Sequence, residues 1–157
     1  MHDLLAPGRK ILASQPFSVL LGAELLAFED GRAELRIPIR AELQQQHGFV
    51  HGGVVSYAAD NALTFAGGSV LGTGVVTSEF KINYLRPARG EALVARAAVV
   101  HRGRTQAVCR CDVFASERGA ERLCATAQGT IATLGTPSGE GITPVDLRAG
   151  QPAGQQA

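Results

Sequence analysis

The sequence predicts an α+β fold: one long buried helix wrapped by a curved antiparallel β-sheet. Three observations predict it. Residues 53–66 (GVVSYAADNALTFA) are the most apolar helical stretch, with Val54, Val55, Ala58, Ala59, Ala62, Leu63, Phe65 and Ala66 leaving hardly any polar face, and a helix apolar all round must be buried. Two strand candidates precede this helix and four follow it. The turns among the last four are short, which favours antiparallel neighbours.

In chain order, residues 1–14 form an N-terminal helical segment. Leu4, Leu5, Ile11 and Leu12 are its apolar set, and Gly8 weakens the helix. Residues 15–134 make the folded domain. Its first strands, 23–28 and 32–39, flank an Asp30-Gly31 turn, a strong hairpin signal. Ala33, Leu35, Ile37 and Ile39 alternate with Arg32, Glu34 and Arg36. A glutamine-rich irregular stretch, 41–51, leads into the helix, and Gly67-Gly68 is expected to end it. Strands are expected at 75–86, 91–101, 105–115 and 121–133. Small residues on them (Ala95, Ala97, Ala98, Ala107, Ala125, Ala127) admit a close neighbour, and pairing of subunits is the expected one. Residues 135–157, rich in Gly, Pro, Ser and Gln, are expected to form a disordered tail.

Composition excludes some classes. A chain of 157 residues suits one domain, and its net charge of +1 argues against wholesale nucleic-acid binding. No stretch approaches the roughly 20 apolar residues that span a bilayer, and the N-terminus lacks a signal-peptide pattern. A cytoplasmic protein with no membrane partner is expected. The three cysteines, Cys109, Cys111 and Cys124, lack C-x-x-C spacing and read as small buried hydrophobes. His47 and His51 are four apart, but Gly48 intervenes and no third ligand is evident, so no metal is expected.

The candidate chemistry lies on the helix. Apart from the Tyr57 phenol, Asp60 is its sole ionisable group, and no Lys or Arg occurs between Ala41 and Phe80. A carboxylate on a buried helix requires hydrogen bonds, a wet cleft, a partner chain or a raised pKa. It is therefore either satisfied by neighbouring hydroxyls or available as a base or nucleophile. Helical spacing aligns it with Ser56 and Thr64. Gly52-Gly53 stands where the helix begins. There, first-turn N–H groups lack intrahelical partners and can stabilise a carbonyl oxygen gaining charge. An oxyanion hole with a nearby carboxylate suits acyl transfer.

The run Gly48-Phe49-Val50-His51-Gly52-Gly53, followed by Asp60-Asn61-Ala62, resembles the signature of hotdog-fold acyl-CoA thioesterases of the PaaI-like, phenylacetic-acid-degradation branch of the 4-hydroxybenzoyl-CoA thioesterase superfamily. The run from Thr77 to Gly90 (TSEFKINYLRPARG) is similar to that family's central strand and turn, and Gly103-Arg104 to a later turn. The resemblance covers about residues 15–134. It implies a hotdog fold, acyl-CoA hydrolysis without a cofactor, and a homo-oligomer, dimer or tetramer, with sites at the subunit interface. Asp60 matches the general base or nucleophile, Gly52 the backbone donor to the thioester carbonyl, and Gly53 its assistant. His51 matches the motif histidine that orients the loop or carbonyl. Gln45 stands where many members carry an asparagine. Thr77 matches a hydroxyl that places the attacking water, and strand alternation puts it on the more polar face. Arg86 and Arg104, chosen from Arg86, Arg89, Arg102 and Arg104, are expected to bind coenzyme A phosphates. The rivals are a hotdog enoyl-CoA hydratase or dehydratase using His51 with Asp60, and a non-catalytic acyl-CoA-binding module.

Overall fold

The computed structural model describes residues 4–135. Helix α1 (Leu5–Ala13) is followed by a short α2 (Pro16–Leu21), which the sequence pattern does not announce. The hairpin β1 (Glu24–Glu29) and β2 (Arg32–Pro38) turns at Asp30-Gly31 as expected. Helix α3 (Gly52–Leu71) then leads to β3 (Val75–Tyr84), β4 (Ala92–Arg102), β5 (Gln106–Glu117) and β6 (Ala120–Thr133). All pairings are antiparallel, in the order β1-β2-β4-β5-β6-β3. The sheet curves around α3, which packs against all six strands. This is the hotdog arrangement. The expected tail lies outside the described residues apart from Gly135. Among the described residues no helix is long and apolar enough to cross a membrane.

Three expectations are corrected. First, α3 does not stop at Gly67-Gly68. A Cβ on Gly67 would lie 2.6 Å from the Ile131 Cβ, so that glycine lets helix and sheet approach. The helix ends at Gly72, whose φ of +100° suits glycine. Second, the short 85–91 segment does not join neighbours: β3 pairs with β6 at the far edge from β2. The segment crosses the sheet end, held where Leu85 N–H donates to the Cys124 carbonyl (2.8 Å), Val50 N–H to that of Ala88 (3.0 Å) and Glu91 N–H to that of Ser116 (2.8 Å). Three strand spacings come to about 14 Å, within the reach of seven extended residues. Third, Ala95, Ala97, Ala107, Ala125 and Ala127 are buried in the core with α3's apolar residues. Their close neighbour is the chain's own helix. Ala98 is exposed on the other face.

Candidate active site

The middle of α3 carries one cluster. Thr77 Oγ1 donates to Asp60 Oδ1 (2.6 Å). The Thr64 hydroxyl lies 2.9 Å from that of Thr77 and 2.9 Å from the Asp60 carbonyl oxygen. Asp60 is half-buried, and its Oδ2 has no hydrogen-bond partner among the described residues. One carboxylate oxygen is anchored and the other is free. Thr77 reaches this site because a β-bulge between Thr77 and Glu79 breaks the alternation of β3. The extra residue reverses side-chain parity, so Thr77 shares the helix-facing side with Phe80 and Ile82 instead of joining Glu79, Lys81 and Asn83.

Beside this cluster, Tyr57 donates to Ser18 Oγ (2.6 Å), Asn61 Nδ2 donates to the Tyr57 oxygen (2.9 Å), and Ser18 donates to Gln15 Oε1 (2.5 Å). The network ties α2 to α3. Burial above all raises the Tyr57 pKa, and the nearby Asp60 charge adds to the rise, so the phenol stays a donor. Sequence gave no sign of these contacts, because Ser18 and Tyr57 lie 39 residues apart.

A second cluster occupies the start of α3. The His51 N–H donates to the Leu43 carbonyl (2.8 Å), Gly53 N–H to His51 Nδ1 (2.9 Å), and Val54 N–H to the His51 carbonyl (2.9 Å). The Gly52 N–H has no acceptor among the described residues. The Gly52-Gly53 pair is thus divided: Gly53's amide is occupied by the capping histidine, and Gly52's remains free. Tyr84 Oη donates to the Gly52 carbonyl (3.2 Å) and hydrogen-bonds the Ser56 hydroxyl. Tyr84 and Ser56 are additions to the residues that the sequence singles out. The available signals were a hydroxyl one turn after Gly52 and a tyrosine just before the Leu85-Arg86-Pro87 turn.

Gln45, Phe49, Gly52, Tyr84 and Arg86 line a cavity of about 410 Å³. The Gln45 side-chain carbonyl accepts from the His47 N–H, folding it back onto its own loop. Arg86 also lines a neighbouring cavity of about 540 Å³ with Arg89 and Arg122, where the Arg89 guanidinium lies 4.1 Å from the Phe49 ring centre. Arg104 is remote from Arg86. The Arg86 N–H bonds the carbonyl of Cys124, near the start of β6, whereas Thr105 meets Thr133 at its end. Those nine residues of strand span about 30 Å, so one chain does not bring the two arginines together. The cysteines are buried, and burial pushes their thiols up to about 11 for Cys109, 12 for Cys111 and 11 for Cys124. None is a ready nucleophile.

The two clusters are also separated. Asp60 follows Gly52 by eight residues, about 12 Å along a helix. An oxyanion donor and a base acting on one carbonyl must both lie within hydrogen-bond reach of the reacting atoms. Within one chain, the Gly52 amide and Asp60 do not face each other as the sequence suggested, nor do His51 and Asp60.

Residues 47–121 match the Thioesterase superfamily. A thioesterase family protein from Silicibacter pomeroyi is 41% identical, with a TM-score of 0.77 over 80% of this chain and 94% of that one. A thioesterase from Haemophilus influenzae is 29% identical, with a TM-score of 0.72 over 83% of this chain and 90% of that one. The acyl-coenzyme A thioesterase PaaI of Escherichia coli is 33% identical over 56% of this chain and 63% of its own length. The curved sheet, the central helix and these likenesses agree, and the chain belongs to the thioesterase superfamily. Its place there is among the PaaI-like hotdog thioesterases, as an enzyme that hydrolyses thioesters.

Proposed function

We propose that the enzyme hydrolyses acyl-CoA thioesters at sites completed by a second copy of the chain. The feature that carries this reading is the spacing of two half-sites eight residues, or about 12 Å of helix, apart on α3, each with one unengaged group among the described residues: the Gly52 N–H and Asp60 Oδ2. Strand β3 is an edge strand, with Val76 and Tyr84 exposed along it and Leu85 exposed just beyond its end. Antiparallel pairing with a second β3 about its middle, between Glu79 and Phe80, sets Thr77 of one copy opposite Ile82 of the other, two residues from its Tyr84. That pairing brings one copy's Asp60 cluster toward the other's Gly52 cluster.

In the assembled site the thioester carbonyl accepts from Gly52 N–H. Asp60 Oδ2 takes a proton from water as its oxygen attacks the carbonyl carbon. The tetrahedral oxyanion collapses, the C–S bond breaks, and coenzyme A leaves as thiolate with the acid as co-product. Direct attack by Oδ2, giving an anhydride that water then opens, uses the same groups. Thr77 holds Oδ1 and leaves Oδ2 to react. His51 caps the helix, and Gln45 shapes the loop beside Gly52. Arg86, with Arg89 and Arg122, suits the phosphates of coenzyme A, and Arg104 reaches a shared ligand only from the second copy. The test is thiol release from a panel of acyl-CoA thioesters by wild type and Asp60→Asn. The variant is expected to keep its fold and substrate binding while turnover falls by about 10²–10⁴-fold. Turnover at the wild-type rate would remove Asp60 from the chemistry.

A further inference from the structure

Asp60, Thr64 and Gly68 continue one stripe along α3. Beyond Asp60 this stripe enters a cavity of about 290 Å³ roofed by α1. We propose that this cavity receives the distal part of the acyl group, and that α1 sets which acyl groups fit. The proposal rests on the thioesterase reading above and names its substrate class: a compact apolar acyl group, either arylacyl or medium-chain.

Thr64 links cavity and chemistry, since it lines the cavity and lies 2.9 Å from the Thr77 hydroxyl that holds Asp60. Leu4, Ile11, Phe28, Phe65 and Val75 supply an apolar lining, and Phe28 and Phe65 meet edge to face at 5.4 Å. Of the polar side chains on the wall, Thr64, Ser69 and Gln15 are engaged elsewhere, and Thr73 is exposed. Ser69 donates to the Ala66 carbonyl and accepts from Gly31 N–H, while Gln15 Oε1 accepts from Ser18 and Asn61. The lining therefore favours a ligand that brings no hydrogen-bonding demand. From Thr64 to Gly72 the helix runs about 12 Å. The volume is nearly twice the roughly 150 Å³ apolar void that admits a benzene. A phenyl ring with its linker or a medium straight chain fits, and a long fatty chain overruns the end.

Helix α1 lies as close as its sequence permits. A Cβ at Gly8 would come within 2.5 Å of Phe28 Cδ1 and 2.8 Å of Leu25 Cδ2. The glycine that weakens α1 as a helix is thus what seats it as a roof.

Ile11 is the position to test, because it lines the cavity and is 37% exposed, so substitution leaves the core intact. The readout is kcat/KM for octanoyl-CoA, decanoyl-CoA and phenylacetyl-CoA, each relative to propionyl-CoA, with folding of each variant checked by circular dichroism. Ile11→Trp is expected to lower at least one ratio by about tenfold or more, as misfit in an apolar pocket does. Ile11→Ala is expected to raise the decanoyl-to-octanoyl ratio. An active enzyme whose ratios stay within about twofold of wild type in both variants overturns the cavity assignment alone. Failure of wild type to release thiol from any acyl-CoA overturns the thioesterase reading, and the cavity assignment with it.

Discussion

Replacing Gly52 by proline removes one hydrogen-bond donor at a position that tolerates the change. Gly52 is the first residue of α3, where proline is accommodated because its missing N–H has no intrahelical partner. The preceding residue must be extended, and His51 already is, at φ −59° and ψ 135°. A Cβ there meets the Tyr84 ring at 3.7 Å, an ordinary contact. Gly52→Ala therefore adds the same Cβ and keeps the N–H, making it the control. Removing an oxyanion donor typically costs about 2.7–4 kcal/mol of transition-state stabilisation, or 10²–10³ in kcat. The assay is steady-state thiol release at saturating substrate, with thermal melts of both variants. Gly52→Pro is expected to lose that factor relative to Gly52→Ala at similar melting temperature. A folded Gly52→Pro with kcat within about threefold of the alanine control would refute the oxyanion assignment.

Thr77→Val keeps the shape but deletes the donor to Asp60 Oδ1. Loss of a charge-assisted hydrogen bond of about 1.5–3 kcal/mol predicts a 10- to 100-fold fall in kcat, with Thr77→Ser recovering most of it; equal rates for Val and Ser would contradict this. Gly67→Ala drives a Cβ into Ile131 and is expected to lower stability in denaturant melts by about 1–3 kcal/mol from overpacking, despite alanine's better helix propensity; an unchanged midpoint would contradict the close approach. The chain has two tyrosines, so Tyr84→Phe leaves Tyr57 alone in a phenolate absorbance titration. Its midpoint is expected above the ordinary 10.0 because burial disfavours the charge. The folded pKa is raised, so the associated stability is full below the unfolded pKa and is lost as pH rises toward the folded value. A midpoint at or below 10.0 would contradict the buried network.

Much of the fold was legible in local pattern. The apolar run of α3 announced burial, and Asp30-Gly31 announced the first hairpin. What failed depended on distant partners. Gly67 reads as a helix stop until Ile131 stands against it. The segment 85–91 reads as a hairpin turn until it is seen to cross the sheet end. The site shows the same division. Asp60 and Gly52 stand out as candidates through residue type and helix position, whereas the face of Thr77 is hidden because a bulge is invisible to a strict period of two. His51 competes for the Gly53 amide through side-chain geometry that sequence does not encode locally. Tyr84 lies within the family-like run 77–90, but its hydroxyl meets Gly52 and Ser56 only through the fold.

The central claim is that each active site joins Gly52 of one copy to Asp60 of another. Subunit complementation tests it most directly. Gly52→Pro and Asp60→Asn proteins, each expected to keep at most about a hundredth of wild-type turnover, are dissociated, mixed in equal amounts and reassembled. In a mixed dimer one site receives both lesions and the other receives neither, so random mixing should restore about a quarter of wild-type activity. Reassembled mixed dimers with no activity above the parent variants would contradict a shared site.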